Sequence, residues 1–407
     1  MIVGITIRNF KGIKEIVNLP LEPFHVLVGP NASGKTTFLD AIDFVRDCLI
    51  DGPKQAVKSR NVSNFNDLTW MKHGGIIEVS IWFDFSRQRK QLFDSLVLYR
   101  LAIKQDIDHG VCVSEEVLQR YSKSWLPAGT HFAFSDRVKP ARLLGKTSKG
   151  TDYYARETSS YQDSFNFGID KLTLALTPPD EERYPTANLV RKFLMQGIRY
   201  IQLDSPGMRL PCSTTRSAEL DMDGTNIARV VSRLIGRKNG EEISWIQDDS
   251  DLVRWVDHLR FALPDLKNIG CSRRIADNAE YLIVQYENGL EAPSWVLSDG
   301  TLRMMALTLI AFMPPESAMY MVEEPENGVH PKALEIIMRS LATIPSCQML
   351  VATHSPFVVQ QSGIKPLLCF NRGADGTTIV RGIDHPILKD WDGEPDLGIV
   401  FAAGVLE

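Results

Sequence analysis

The sequence predicts an α/β protein whose central sheet is mixed and mainly parallel, and three observations carry that expectation. Short apolar runs of strand length alternate with amphipathic stretches of helical period, the pattern of strand–helix–strand units. A glycine-rich stretch, Gly29 to Thr36, lies between one such strand and one such helix. Farther along, small polar, acidic or imidazole residues cluster where strands end and helices begin, at Leu297 to Thr301, Val322 to Glu324 and Ala352 to Pro356.

Taken in order, Ile5-Thr6-Ile7-Arg8-Asn9-Phe10 places apolar residues at period two and predicts a strand, and Phe24 to Val28 is a short β-rich run that closes on glycine. From Thr36 onward, Phe38, Leu39, Ile42, Phe44, Val45 and Leu49 recur at helical spacing, so this part reads strand, loop, helix. Residues 51–66 are polar, after which Ile76 to Phe85 and Leu96 to Ile103 alternate as antiparallel strands do. Between Ser122 and Ser164, Gly, Ser, Thr, Pro, Lys and Arg dominate, which predicts a long surface insertion. Inside it, Arg137, Lys139, Arg142, Lys146 and Lys149 stand with no acid among them. Asn226 to Ile235 and Leu252 to Leu263 carry apolar stripes of helical period, and Pro264 ends the second. Tyr281 to Tyr286 predicts a strand, Leu297 to Phe312 a helix entered through a loop, Met319 to Val322 a buried strand and Pro331 to Leu341 a helix. Gln348 to Ala352 and Leu367 to Phe370 predict further strands.

A length of 407 residues fits two to three domains, or one large domain with insertions, at roughly 150 residues per domain. With 44% hydrophobic and 23% charged residues the composition is that of a globular protein, which excludes disordered and fibrous classes. Apolar runs such as Met304 to Met313 fall short of the ~20 residues of a membrane-crossing helix. Met1 to Ile7 has no basic stretch ahead of its apolar residues, so no secretory leader and a cytoplasmic location are expected. The six cysteines, Cys48, Cys112, Cys212, Cys271, Cys347 and Cys369, form no C-x-x-C pair, which predicts neither a zinc site nor a disulfide framework. Lys and Arg number 45 against 50 Asp and Glu, a net charge of −5 that argues against a whole-surface nucleic-acid binder but leaves room for a local basic patch.

Gly29-Pro30-Asn31-Ala32-Ser33-Gly34-Lys35-Thr36 satisfies G-x-x-x-x-G-K-[ST]. Its glycines let the backbone curl so that successive N–H groups converge on phosphate oxygens, and the helix that follows adds its positive N-terminal end. In such a loop Lys35 reaches the β- and γ-phosphates and the Thr36 hydroxyl ligates magnesium. No guanine-reading N-K-x-D follows. Met319 to Glu324 is an apolar strand tipped by two acids; next to a phosphate loop on a neighbouring strand, Glu323 would take the metal side and Glu324 the role of catalytic base. Leu297-Ser298-Asp299-Gly300-Thr301 opens a helix that Ser298 can cap, and Gly300 permits close backbone approach, so this helix start can present donors to an anion. Val351 to Pro356 ends a strand in His354, a donor suited to a γ-phosphate. Each of the last three, alone, also fits a plain structural reading: a solvated strand end, a helix cap, a structural histidine.

Together and in this order, the four motifs resemble the ABC-type ATPases of the RecF/SMC branch, most closely the stand-alone ATPase modules related to OLD-family proteins. Glu323 to Pro331, Leu297 to Arg303, Thr353 to Pro356, the opening Ile5 to Gly12 and Asp223-Gly224-Thr225-Asn226-Ile227 carry the resemblance, which is strong over residues 1–50 and 220–407 and weak between. It implies a P-loop NTPase with an ABC-ATPase-like bilobed head: an N-terminal lobe with the Walker A loop over 1–85, a β-rich or irregular insertion over 86–220 that returns to the lobe, a helical subdomain over 221–280 and a C-terminal lobe over 281–407. It implies ATP and Mg2+ as cofactors, held between two head-to-tail subunits of a homodimer or higher homo-oligomer. By the same resemblance Asn31, Ser33, Gly34, Lys35, Thr36 and Thr37 of one subunit bind ATP while Ser298 and Gly300 of the other close on its γ-phosphate. His354 takes the switch position, Asn31 faces the γ-phosphate, and Gln202 is the candidate to complete the metal site with Thr36 and Glu323. Many relatives carry Asp where this chain has Glu323, and the extra methylene shifts the reach of a magnesium ligand.

Transporter ATPases share the fold, but they have shorter chains, a glycine-glutamine signature and a different sequence after the acids. No heptad-patterned stretch is long enough for an SMC-type coiled coil. The segment after Phe370 is too short for a second catalytic domain such as the nuclease appended in OLD proteins. Two functions remain. In the first, an ATP-hydrolysing, ATP-driven dimer regulates a separately encoded effector, often a nuclease, as similar modules do in bacterial anti-phage defence, with the partner docked on the central region. In the second, the chain is a RecF-like, ATP-gated DNA clamp in repair. Its phosphate contacts would come from Arg137 to Lys149 and from Arg229, Arg233 and Arg237, spaced along one helix face. No membrane partner is expected.

Overall fold

The chain opens with β1 (Ile2–Phe10), β2 (Ile13–Pro20) and β3 (Phe24–Val28), followed by the helix Lys35–Asp51. Next come β4 (Ile76–Phe83), β5 (Ser95–Asp106), β6 (Gly110–Ser122), β7 (Ala141–Lys146), β8 (Thr151–Ala155), β9 (Gln162–Asn166) and β10 (Ile198–Ile201). The second half holds β11 (Ile243–Trp245), β12 (Leu266–Arg273), β13 (Glu280–Tyr286), β14 (Glu291–Pro293), β15 (Met319–Glu323), β16 (Gln348–Ala352), β17 (Leu367–Gly373) and β18 (Gly376–Arg381). These elements come from a computed structural model that describes every residue except 87–91, 93, 126–138, 148–149, 237–241, 248–249, 251, 314–317, 345–346, 390–395 and 407.

The six-stranded sheet that positions the site has the order β10-β15-β16-β3-β17-β18 and is parallel throughout except for the closing β17–β18 hairpin. Its strands are apolar on both faces because both faces are covered. Leu27, Met319, Met321, Leu350, Ala352, Leu368 and Phe370 pack toward the helix Lys35–Asp51 and the antiparallel sheet. Their neighbours in sequence, Val26, Val28, Tyr320, Val322, Met349, Val351, Leu367 and Cys369, pack toward the helices Ile227–Ile235, Leu252–Arg260, Asp299–Leu309 and Pro331–Ala342. The period-two alternation of side chains thus divides one sheet between two cores.

An eight-stranded antiparallel sheet, β2-β1-β4-β5-β6-β7-β8-β9, covers the first face. This corrects the expectation of a surface insertion over 122–164: β6 runs to Ser122 and β7, β8 and β9 extend the sheet, with Leu143, Leu144 and Tyr154 buried. The polar composition that suggested a loop belongs partly to buried, mutually satisfied groups. Lys146, 1% exposed at its side chain, gives its ammonium to Asp152 and to Gly168 O. Glu116 accepts from the Tyr99 hydroxyl at 2.9 Å and from the N–H groups of Thr173 and Leu174 at 2.6 and 2.9 Å.

The stretch 221–280 is not purely helical. Its two helices, Ile227–Ile235 and Leu252–Arg260, pack on the small antiparallel sheet β11-β12-β13-β14. Among the described residues no helix is long and apolar enough to cross a membrane.

Candidate nucleotide site

The phosphate loop leaves the end of β3 and enters the helix Lys35–Asp51 through backbone angles that side chains resist. Gly29 and Gly34 have φ of 142° and 108°, and a Cβ would collide with Phe370 O at the first and with the Thr377 side chain at the second. Lys35 is buried, with its ammonium 2.8 Å from Gly29 O and 2.9 Å from Pro30 O, so it stands on the floor of the loop. Thr36, at the start of the helix, is exposed. Asn31, Ala32, Ser33, Gly34, Lys35, Thr36 and Thr37 line a cavity of about 440 Å³ together with Gly12, Glu324, His354 and Arg372. The structure therefore brings the loop residues, the second acid and His354 to one cleft.

The acids stand two strands from the loop. Between β15 and β3 lies β16, so the strand next to the loop is the one tipped by His354, which corrects the expectation that the acid strand would be its immediate neighbour. Glu324 takes φ of 47°, its N–H held by Ala352 O at 2.8 Å and its carboxylate accepting from the Asn327 side chain. Glu326 ties the acidic turn to the switch turn: its Oε1 accepts from the Thr353 hydroxyl at 2.7 Å and from the His354 N–H at 2.9 Å. Sequence reasoning assigns Glu326 no role of its own; its place two residues after the strand-ending pair holds no periodic signal of this one.

Glu323 points to the face of the sheet that carries the helix Lys35–Asp51, as Met321 does two residues earlier. One residue beyond the paired Ile201 and Val322, Gln202 comes level with it. The Tyr200 hydroxyl hydrogen-bonds with both Glu323 and Gln202, and burial, followed by the Glu323 charge, pushes that phenol up. Glu323 Oε1 is buried without a hydrogen-bond partner. A buried carboxylate oxygen left unsatisfied and level with a side-chain amide fits a hard divalent cation, whose ligands are oxygens. Of the three residues expected to hold Mg2+, Thr36 lines the cavity, whereas Glu323 and Gln202 are not among its lining residues.

Ser298 and Gly300 do not line this cavity. Ser298 caps the helix Asp299–Leu309, accepting from the Thr301 N–H at 3.1 Å, and is exposed. Gly300 lies against the turn after the acids: a Cβ there would sit 2.5 Å from Gly328 O. Arg209 steadies this helix start through Asp299, at 2.5 Å, and Leu297 O, at 3.0 Å.

Of the five described basic residues expected to contact phosphates, three are engaged elsewhere. Lys146 is buried with Asp152, Arg142 lies over the Tyr153 ring at 4.9 Å, and Arg229 pairs with the fully buried Glu280 at 3.3 Å. Arg137, Lys149 and Arg237 lie outside the described residues; Lys139 and Arg233 are exposed.

Residues 1–112 match the family described as "AAA ATPase domain", and residues 213–360 match "AAA domain, putative AbiEii toxin, Type IV TA system". A protein named OLD nuclease from Thermus scotoductus is 23% identical over 389 residues, which cover 93% of this chain and 64% of that protein, so this chain spans less than two thirds of the relative's length. Among solved structures, an SMC head bound to the C-winged helix domain of ScpA is similar with a TM-score of 0.51 at 13% identity, covering 93% of this chain and 96% of that one. The SMC head domain from Thermotoga maritima gives 0.47 at 12% identity, covering 93% and 98%. The first matched segment supplies β3 and the phosphate loop, the second supplies β15 and β16 with their acidic and histidine tips, and both lie in one sheet; the two segments of the chain are each similar to AAA-type ATPase domains.

Proposed function

We propose that this chain binds ATP with Mg2+ in the cleft of the phosphate loop, hydrolyses it with Glu324 as base, and dimerises head to tail around it. The observation that carries the reading is the convergence of Asn31 to Thr37, Glu324 and His354 on one cavity, from loop, acid strand and switch strand. Bound magnesium would supply charge neutralisation between the β- and γ-phosphates. The chain's own residues divide the rest. Lys35 and the N–H groups of the loop and first helical turn hold the phosphates, Glu324 takes a proton from the attacking water, and His354 donates to the γ-phosphate oxygens.

The exposed, capped helix start at Ser298 lies outside that cleft, which supports its use on the ATP of a second copy. In this reading the ATP-driven dimer regulates a separately encoded nuclease effector in bacterial anti-phage defence; the relative named a nuclease extends well beyond the length this chain matches. Glu324→Gln should retain ATP binding, lose turnover by roughly a hundredfold or more and accumulate a dimer by light scattering when ATP is added. Unchanged turnover in this variant removes Glu324 as the base. Co-purification with the products of neighbouring genes tests the effector; a chain that always emerges alone argues against one.

A further inference from the structure

One cation lines the nucleotide cavity from the side away from the acids and the histidine. In the sheet order β3 lies between β16 and β17. His354 follows β16 and Glu324 follows β15, so the groups expected at the γ-phosphate lie together on one side of the loop. On the other side is the β17–β18 hairpin, whose Arg372 lines the cavity together with Gly12 of the β1–β2 turn. The hairpin is fixed to the loop. Thr377, paired with Arg372 across the hairpin, donates its hydroxyl to Ser33 O at 2.9 Å and its N–H to Gly12 O at 3.1 Å, and its side chain fills the space a Cβ on Gly34 would need. The acid of the hairpin turn, Asp375, pairs with Lys14 at 2.8 Å, and among the described residues no ion pair engages the exposed Arg372.

We propose that Arg372 is a nucleotide-positioning residue that contacts the α-phosphate. The inference rests on reading the loop as a triphosphate site. With the γ-phosphate toward Glu324 and His354 and the β-phosphate over the loop, the α-phosphate leaves on the β17 side, between Gly12 and Arg372. A planar guanidinium there offers paired donors and a fixed charge to phosphate oxygens, and the hairpin bonds hold its backbone in register with the loop.

The test compares full-length wild-type protein with Arg372→Ala, Arg372→Gln and Arg372→Lys, using calorimetric binding of ATP, ADP and pyrophosphate with Mg2+ and a thermal melt of each variant. Loss of a charge-assisted contact should weaken ATP and ADP alike by about tenfold in the Ala and Gln variants. Pyrophosphate affinity should be unchanged, and Lys should retain part of the nucleotide affinity. Unaltered ATP and ADP affinities overturn the proposal, as does a loss confined to ATP or an equal loss for pyrophosphate. Lys14→Ala, which breaks the pair with Asp375 at the hairpin turn, should leave all three affinities unchanged; an equal loss there assigns the effect to hairpin position and also overturns it. A folded wild-type chain that binds none of the three ligands defeats the triphosphate reading itself, a result distinct from wild-type binding that the Arg372 variants match.

Discussion

At the scale of single residues, the site depends on a few groups whose bonds leave little slack. Lys35 is buried on the floor of the loop, and Lys35→Ala removes the only charge the loop itself supplies to the phosphates. ATP affinity should fall at least about tenfold by calorimetry. Glu326 connects the acidic turn to the switch turn, and Glu326→Ala leaves the fully buried Thr353 hydroxyl and the His354 N–H without their acceptor. Urea unfolding should show a loss of about 1–3 kcal/mol, with turnover falling further than ATP affinity. Equal stability and turnover would mean that the two turns do not depend on this carboxylate.

Asp43, on the helix that follows the loop, is a third such group. Burial raises its pKa from the usual 3.8 to about 6, against the pull of Arg46 at 2.7 Å and Arg60 at 3.9 Å. Because the folded chain holds this proton more tightly than the unfolded chain, the group adds stability as pH falls from about 6 toward 4, and its charge opposes folding above pH 6. Asp43→Asn should therefore be more stable than wild type near pH 7, and that advantage should shrink near pH 5. A pH-independent difference in urea midpoint would place the carboxyl at its ordinary value.

At the scale of elements, the helix start at Gly300 closely approaches the turn at Gly328, both within one chain. Gly300→Ala must push this turn away from the helix, and the same turn carries Glu324 and Glu326. Turnover should fall at least about tenfold while ATP affinity of the isolated chain stays within twofold, because this turn contributes Glu324 to the cavity while the phosphate loop supplies most of its lining. A matching loss of affinity would show that the turn shapes the pocket directly.

The strand, loop and helix around Gly29 to Thr36 and the acid-tipped β15 were legible in the sequence because periodicity and a spaced motif mark them locally. β7 to β9 were not, because buried pairs such as Lys146 with Asp152 give a sheet the composition of a loop. The intervening β16 and the bonds of Glu326 and Thr377 were hidden for a different reason: strand order and cross-element hydrogen bonds leave no trace in local spacing.

At the scale of the molecule, one parallel sheet divides two cores and displays the nucleotide cavity at the C-terminal ends of its strands, where loops from both halves of the chain meet. The helix start at Ser298 belongs to the same chain but stands outside that cavity, and in the proposed head-to-tail dimer it is a second copy that completes each site. The most direct measurement is ATP turnover by a mixture of Lys35→Ala and Ser298→Arg proteins, each expected to be inactive alone. If the site is shared, mixed dimers contain one intact pairing of loop and helix start, and turnover should reappear at roughly a quarter of the wild-type rate with random pairing. Turnover no greater than the sum of the two separate proteins would contradict the shared site.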